Sequence, residues 1–346
     1  MKALVYHGPG KRSWEEKQKP AIQLPTDVIV KITKTTICGT DLHIMKGDVP
    51  EVKDGTTLGH EGVGIVEEVG SGVTSFHAGD NVLISCITSC GRCTWCRKGM
   101  YSHCENGGWV LGHLIDGTQA EYVRIPYADT SLHKIPAGLD DAALTMLSDI
   151  FPTGFECGVL NGQVKPGDVV AIVGAGPIGL ATLLTAQLYS PARIIMVDPD
   201  PNRLQVARTF GATDCVDPSK GDRVEALMAL TGNQGVDVAI EAVGVPETFE
   251  FCEMIIKAGG VIANVGVHGK SVQLHLEKLW SSNITITTRL VDTVTTPMLL
   301  KMVESGKLQP EKMITHTFPL NDIMRAYDTF GNAAKEKALK VVLENR

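Results

Sequence analysis

No apolar run in this 346-residue sequence approaches the roughly 18 residues that a helical membrane span needs. Runs rich in Lys and Arg are also missing, and the net charge is −7. Both weigh against nucleic acid or an anionic membrane surface as a partner. The opening segment, MKALVYHGPGKRSW, lacks a signal-peptide core, because its apolar run stops at Tyr6 and charge follows. There is no internal repeat and no low-complexity tract. A globular, cytoplasmic protein is expected. Disulfides rarely persist in that reducing compartment, and nine cysteines cannot all pair with one another. At this length two domains are expected, since single cores stop growing at about 250–300 residues.

What is present changes in texture along the chain. The first 150 residues read as β-rich, with β-branched runs such as DVIVKITKTTI and VGIVEEVG set between Gly, Pro and Asp turn signals. From about Gly154 strands alternate with helices: DVVAIVG, then LATLLTAQLY, RIIMVD, NRLQVARTFGA, VDVAIEAVG and GVIANVG. That rhythm indicates a doubly wound parallel sheet. The last fifty residues return to mixed patterning, with a helix near TPMLLKMVESG and a closing strand in KALKVVLE. A nucleotide-type unit is thus inserted into a domain built from both chain ends.

Gly174, Gly176 and Gly179 form G-x-G-x-x-G between a strand and a helix. This is the context in which the pattern binds a pyrophosphate at a helix N-terminus, with Pro177 and Ile178 opening that helix. Asp198 ends the next strand, 19 residues after Gly179. A carboxylate there can hydrogen-bond ribose hydroxyls and repel a 2′-phosphate, so NAD is expected over NADP. Arg203 nearby could face either a phosphate or the ribose.

The sixteen residues SCGRCTWCRKGMYSHC carry Cys90, Cys93, Cys96 and Cys104 as C-x2-C-x2-C-x7-C. Four thiolates at this spacing can close a tetrahedral structural Zn²⁺ site. Iron–sulfur ligation is the alternative, although those runs usually carry Pro after the last Cys and here Glu105 follows. Cys86, four residues earlier, looks like a fifth candidate for which the closed set leaves no place. Cys38 in ICGTDLHIMKG and His60 in LGHEGVG are possible ligands of a second metal, with Glu61, directly after His60, and Asp149, far along the chain in LSDIFPTG, as candidate carboxylates that spacing alone does not bring together. Taken singly, such residues are more often a buried small hydrophobe and a satisfied core histidine.

The order of CGTDLH, GHEGVGIVEEVGSGV, GDNVLISC, the four-cysteine stretch, GAGPIG and VGVHG resembles the zinc-dependent alcohol dehydrogenases of the medium-chain dehydrogenase/reductase superfamily. The similarity runs over essentially the whole chain. It implies an α/β fold, with a GroES-like β-rich catalytic domain over 1–151 and 292–346 and a Rossmann NAD-binding domain over 152–291. It implies two Zn²⁺ per chain, one structural in the four-cysteine lobe and one catalytic on Cys38, His60 and Asp149. Many members use a cysteine as third ligand, and Asp149 instead resembles the bacterial secondary-alcohol branch. Cys157 falls after FPTG, out of register. Glu61 matches a glutamate that approaches the metal transiently, and Asp41 matches the acid that orients the zinc-bound histidine. Thr40 and His43 match the proton relay, and Trp109 matches a wall of the substrate pocket. Thr153, Val243, Val265, Gly266 and Val267 resemble positions beside the nicotinamide.

The implied activity is reversible hydride transfer between small, secondary alcohols and NAD, giving ketones or aldehydes. A polyol, threonine or formaldehyde dehydrogenase is the alternative within the family, and a non-catalytic NAD-binding redox sensor is the alternative from another class. NITITT reads as an exposed edge strand that invites pairing with another chain. In the family such strands join subunits, so a homo-oligomer is expected, with a tetramer favoured over a dimer.

Overall fold

The structure is a computed structural model and describes residues 1–345. Strands β1 (Lys2–Tyr6) and β2 (Arg12–Glu16) pair as an antiparallel hairpin. They are followed by β3 (Val28–Thr36), helix α1 (Gly39–Lys46), β4 (Gly62–Val69), β5 (Asn81–Ile84), β6 (Tyr122–Ile125) and β7 (Leu132–Lys134). The alternating region then runs β8 (Val169–Val173), α2 (Pro177–Ala186), β9 (Arg193–Val197), α3 (Pro201–Thr209) and β10 (Asp214–Val216). It continues with α4 (Arg223–Leu230), β11 (Val236–Glu241), α5 (Pro246–Ile255), β12 (Ile256–Asn264) and β13 (Thr285–Thr288). The chain closes with α6 (Thr296–Glu304), β14 (Ile314–Pro319), α7 (Ile323–Gly331) and β15 (Lys340–Glu344).

Two compact units result: Met1–Asp149 with Asp292–Arg346, and Ile150–Val291. The first holds a seven-stranded sheet in the order β14-β15-β3-β4-β5-β7, with β6 paired to β3. Antiparallel pairing dominates it, and β3 supplies its longest run, whose β-branched residues suit a pleated, buried surface. One core cluster of this unit joins Leu4 and Tyr6 of β1, Ile44 of α1, Ile323 and Tyr327 of α7, and Val341 and Leu343 of β15. Burying Ile44 contributes about 1.5–3 kcal/mol and fixes α1 against strands from both chain ends. Helix α1 starts at Cys38, which has extended backbone, and stops at Gly47 in the left-handed region (φ 86°).

The second unit is a six-stranded sheet in the order β10-β9-β8-β11-β12-β13, parallel throughout. Counted within the unit this is 3-2-1-4-5-6, the doubly wound dinucleotide order, whose switch point lies between β8 and β11. Strand β8 is an almost unbroken buried apolar run, as a parallel strand covered on both faces must be. Strand β13, the NITITT segment, lies at one edge of the sheet. Among the described residues no helix is long and apolar enough to cross a membrane.

Candidate functional site

Three donor side chains converge in the first unit from segments far apart in sequence. Cys38 caps the N-terminus of α1, so its side chain leaves the helix end rather than a lateral face. His60 precedes β4 and follows Gly59 (φ 95°), where a Cβ would stand 2.8 Å from the backbone nitrogen of Gln119. Asp149 is hung by its neighbour Ser148, whose carbonyl accepts the Cys86 N–H (3.1 Å) and whose hydroxyl accepts the Gly62 N–H (3.0 Å). The Cys38 thiol lies 3.6 Å from Asp149 Oδ2, and His60 Nε2 lies 3.3 Å from the same oxygen. All three residues are buried, and their donor atoms lie within 4.8 Å of one another.

The titratable groups of this set act on one another. Burial opposes a charge on His60, yet the hydrogen bonds with Asp149 and Cys38 lift its imidazole well above the ordinary range. Burial pushes the Cys38 thiol and the Glu61 carboxyl up. Glu61 is fully buried and paired to the equally buried Lys340 at 2.5 Å, while its Oε1 has no hydrogen-bond partner among the described residues. Asp41 Oδ1 is likewise buried and unpartnered. A thiol, an imidazole and a carboxylate, all three buried, form a donor set that fits Zn²⁺ with one position left open.

Asp41, in the first turn of α1, is buried. Its Oδ2 accepts the Cys38 N–H (2.8 Å) and the Gln119 side-chain amide (3.0 Å). Its carboxylate acts on His60 through charge, raising the imidazole pKa. Gln119 in turn accepts the Tyr327 hydroxyl at 2.8 Å. Gln119, Tyr327 and Lys340 went unseen in the sequence, since no local spacing connects them to CGTDLH or GHEG.

Thr40 sits in the first turn of α1, with Oγ1 3.9 Å from Cys38 Sγ. His43 follows three residues later, half-exposed, with Nδ1 2.8 Å from Asp48. Trp109 is partly buried and stacks on His113, with ring centroids 4.3 Å apart.

Cys90, Cys93, Cys96 and Cys104 form a second group, again with all donor atoms within 4.8 Å. The loop supplies its own N–H donors: Cys90 to the Cys104 sulfur at 3.2 Å and Asn106 to the same sulfur at 3.5 Å. Burial opposes charge on Cys90, but the backbone N–H groups of Arg92 and Cys93 outweigh it and bring the thiol to about 6. Backbone N–H groups lower the Cys93 thiol too, whereas burial pushes Cys96 up to about 12 and Cys104 up, so without a cation the loop favours thiolate at only two of its four sulfurs. All nine cysteines are free of disulfides. Cys86 lies with the other group, its thiol 3.8 Å from Asp149 Oδ1, and Cys157 lies in the loosely wound segment Gly154–Leu160.

In the second unit the glycine loop follows β8. Gly174 (φ 105°) has no room for a side chain against Val243, and a Cβ on Gly179 would lie 1.8 Å from the Gly174 carbonyl. Over Gly176, the N-cap of α2, only the Arg203 guanidinium comes as close as 3.9 Å, leaving backbone open to an approaching phosphate. Asp198 is fixed by the N–H groups of Ala175 and Asp200, each at 2.8 Å, and Arg203 stands 3.9 Å from it. Loops after β11 and β12 close on the same end of the sheet: a Cβ on Gly266 would lie 2.2 Å from Gly244 N. Val243 and Val267 remain exposed there, 46% and 77%, an apolar shelf at the switch point beside Val265. Glu241, buried beneath it, accepts the Val243 and Gly244 N–H groups at 2.9 Å, a tie that carries no sequence motif. Thr153 ends the short helical turn Ile150–Thr153.

Comparison with known proteins places these features in a family. Residues 24–137 match the alcohol dehydrogenase GroES-like domain, and residues 177–305 match the zinc-binding dehydrogenase domain. An alcohol dehydrogenase of Cupriavidus necator is 36% identical, over 99% of this chain and 98% of its own. The structure of zinc-dependent alcohol dehydrogenase 2 from Streptococcus pneumoniae is similar at TM-score 0.95 and 57% identity, covering 100% of this chain and 98% of that one. A structure described as a zinc-binding dehydrogenase from Sinorhizobium meliloti, with NADP bound, is 31% identical at TM-score 0.88, covering 99% and 98%.

Proposed function

Since the chain belongs to the zinc alcohol dehydrogenases of the medium-chain dehydrogenase/reductase superfamily, we propose that it interconverts small secondary alcohols and ketones with NAD as hydride acceptor. The observation that carries this reading is the buried convergence of Cys38, His60 and Asp149. The reaction converts alcohol and NAD⁺ into ketone or aldehyde, NADH and a proton. Cys38, His60 and Asp149 would hold a catalytic zinc, and Cys90, Cys93, Cys96 and Cys104 a structural one, two per chain. Zinc in the first position supplies Lewis acidity, which lowers the pKa of a hydroxyl enough for ionisation near neutral pH.

The chain's own residues do the rest. Thr40, beside Cys38, accepts the substrate hydroxyl proton, and His43, open to solvent on the same helix, releases it. Trp109, held by its stack on His113, walls the substrate pocket. Glu61, tied to Lys340, sets the potential behind the ligands. Gly174, Gly176, Pro177, Ile178 and Gly179 receive the pyrophosphate at the α2 N-terminus, and Asp198 the adenosine ribose. Thr153, Val243, Val265, Gly266 and Val267 flank the nicotinamide.

Asp198 favours NAD, because a buried carboxylate repels a 2′-phosphate. Arg203 beside it supports the second reading, NADP, the nucleotide carried by the Sinorhizobium relative. The reading extends to a cytoplasmic homo-oligomer, a tetramer, assembled through the edge strand β13. The deciding experiment compares rates with NAD⁺ and NADP⁺ across ethanol, 2-propanol, 2-butanol, a polyol and threonine. Highest kcat/KM with 2-propanol or 2-butanol and NAD⁺ is expected; a strong polyol or threonine preference overturns the substrate, and an NADP⁺ preference overturns the cofactor.

A further inference from the structure

We propose that Cys86 is a positioning residue for the metal at Cys38, His60 and Asp149. Its thiol holds the outer oxygen of Asp149 and keeps that carboxylate a one-oxygen ligand. The inference rests on reading those three residues as a metal site.

The two oxygens of Asp149 face different partners. Oδ2 faces the cluster, 3.6 Å from Cys38 Sγ and 3.3 Å from His60 Nε2, while Oδ1 accepts the Cys86 thiol at 3.8 Å. Both Cys86 and Asp149 are buried, 2% and 9% exposed. The backbone repeats the tie, since the Cys86 N–H donates to the Ser148 carbonyl at 3.1 Å. Residue 86 therefore addresses the 148–149 segment twice, once by main chain and once by side chain. The main-chain bond places the segment, and the thiol contact on Oδ1 adds to the contacts on Oδ2 in restraining rotation of the carboxylate about its last bond.

That rotation has a chemical consequence. A carboxylate free to turn can offer a metal both oxygens, and the second would crowd the position that a reacting oxygen needs. A donor on the outer oxygen opposes this, and such outer contacts typically change metal affinity by about 10–100-fold. Cysteine suits the place because it packs as a small hydrophobe yet keeps a weak S–H donor. A serine at 86 keeps a donor on a shorter bond. A valine fills similar volume and has none.

The test measures zinc loss from the full-length protein to a chelator, and the visible spectrum after cobalt substitution, for wild type, C86S, C86V and C86A. Cys86→Val and Cys86→Ala are expected to lose the metal of the Cys38 set about tenfold or more faster, with an altered cobalt spectrum, and Cys86→Ser to fall between. The four-thiolate metal is retained in all of them. If Cys86→Val holds metal as wild type does, residue 86 acts by packing alone and the proposal fails. Equal retention in all four proteins overturns it as well. Cys38→Ser is the control: should it keep a full metal complement, the metal reading of the set fails, independently of Cys86.

Discussion

The two cysteine-bearing clusters of the first unit solve the same problem in opposite ways. The four-thiolate group lies within one stretch from Cys90 to Cys104, and much of its sulfur hydrogen bonding comes from its own loop. The Cys38, His60 and Asp149 group draws its members from segments up to 111 residues apart, the span between Cys38 and Asp149. It is walled by Glu61, Asp41 and a lysine from the last strand. A site made by one loop can be dense in ligands and closed. A site assembled from several elements can leave a side open and still control the charge around it, because each neighbour arrives from a different direction. The first design suits a brace and the second suits chemistry.

Removing a ligand from the dispersed site gives the sharpest break between the two. Cys38→Ser or His60→Ala is expected to lower kcat by about 10³-fold or more, equivalent to several kcal/mol of transition-state stabilisation. NADH binding, followed by fluorescence titration, stays close to wild type. A metal-replete Cys38→Ser enzyme with ordinary turnover removes the functional distinction altogether.

The buried pair behind that site should be next in size. Lys340→Met leaves the buried Glu61 without its partner, either ionised and uncompensated or forced to take up a proton, and is expected to cost about 3–5 kcal/mol in urea unfolding. Adding Glu61→Gln should recover part of the loss. No recovery in the double variant means that Lys340 acts through packing rather than charge. In the compact loop, Cys93→Ser should lose one metal and cost roughly 2–4 kcal/mol while the remaining folded protein keeps its catalytic metal. Trp95→Ala, more than one-third exposed on the same loop, should cost within about 1 kcal/mol. Equal damage from the two substitutions argues that the loop is held by contacts other than its sulfurs.

The smallest effect belongs to a polar cluster that has neither burial nor convergent ligands. His7 is bonded to Glu15 (3.0 Å) and Asp54 (2.8 Å), which raise its pKa above the usual 6.5, Glu15 contributing most. A raised folded-state pKa means that the charged pairing stabilises the fold below pH 6.5, and that this contribution is lost as pH rises through the folded value. An NMR titration should place His7 above 6.5, and Glu15→Gln should bring it down. The stability difference between wild type and His7→Asn should shrink as pH rises. A difference that widens with pH has the wrong sign for this pairing.

Much of the second unit was legible because its signals are local. Period and composition announced β8, β9, β11 and β12 with the helices α2 and α3, though not α4 and α5, and the edge placement of NITITT followed from its late position in the sheet. The glycine loop was equally plain: Gly179 must lack a side chain because the Gly174 carbonyl occupies that space, a clash between residues five apart. The dispersed cluster was not legible in that way. Periodicity reads Cys38 and His60 as ordinary buried residues, and only family resemblance linked them to Asp149. Cys86 shows the limit most clearly, since proximity in sequence assigned it to the neighbourhood of Cys90, whereas the turn after β5 carries its sulfur to Asp149.

The sequence by itself determined the strand–helix alternation, the glycine loop with Asp198 at the end of the following strand, and the four-cysteine loop. In each the interacting atoms are close along the chain, so connectivity alone brings them together. Only the tertiary structure decided which carboxylate oxygen faces Cys38 and His60, which thiol stands behind it, and that Lys340 pairs with Glu61. Those contacts span 63 to 279 residues, the separations of Cys86 from Asp149 and of Glu61 from Lys340. At such distances no local spacing survives, and it is the packing of strands from both chain ends into one sheet that sets the geometry.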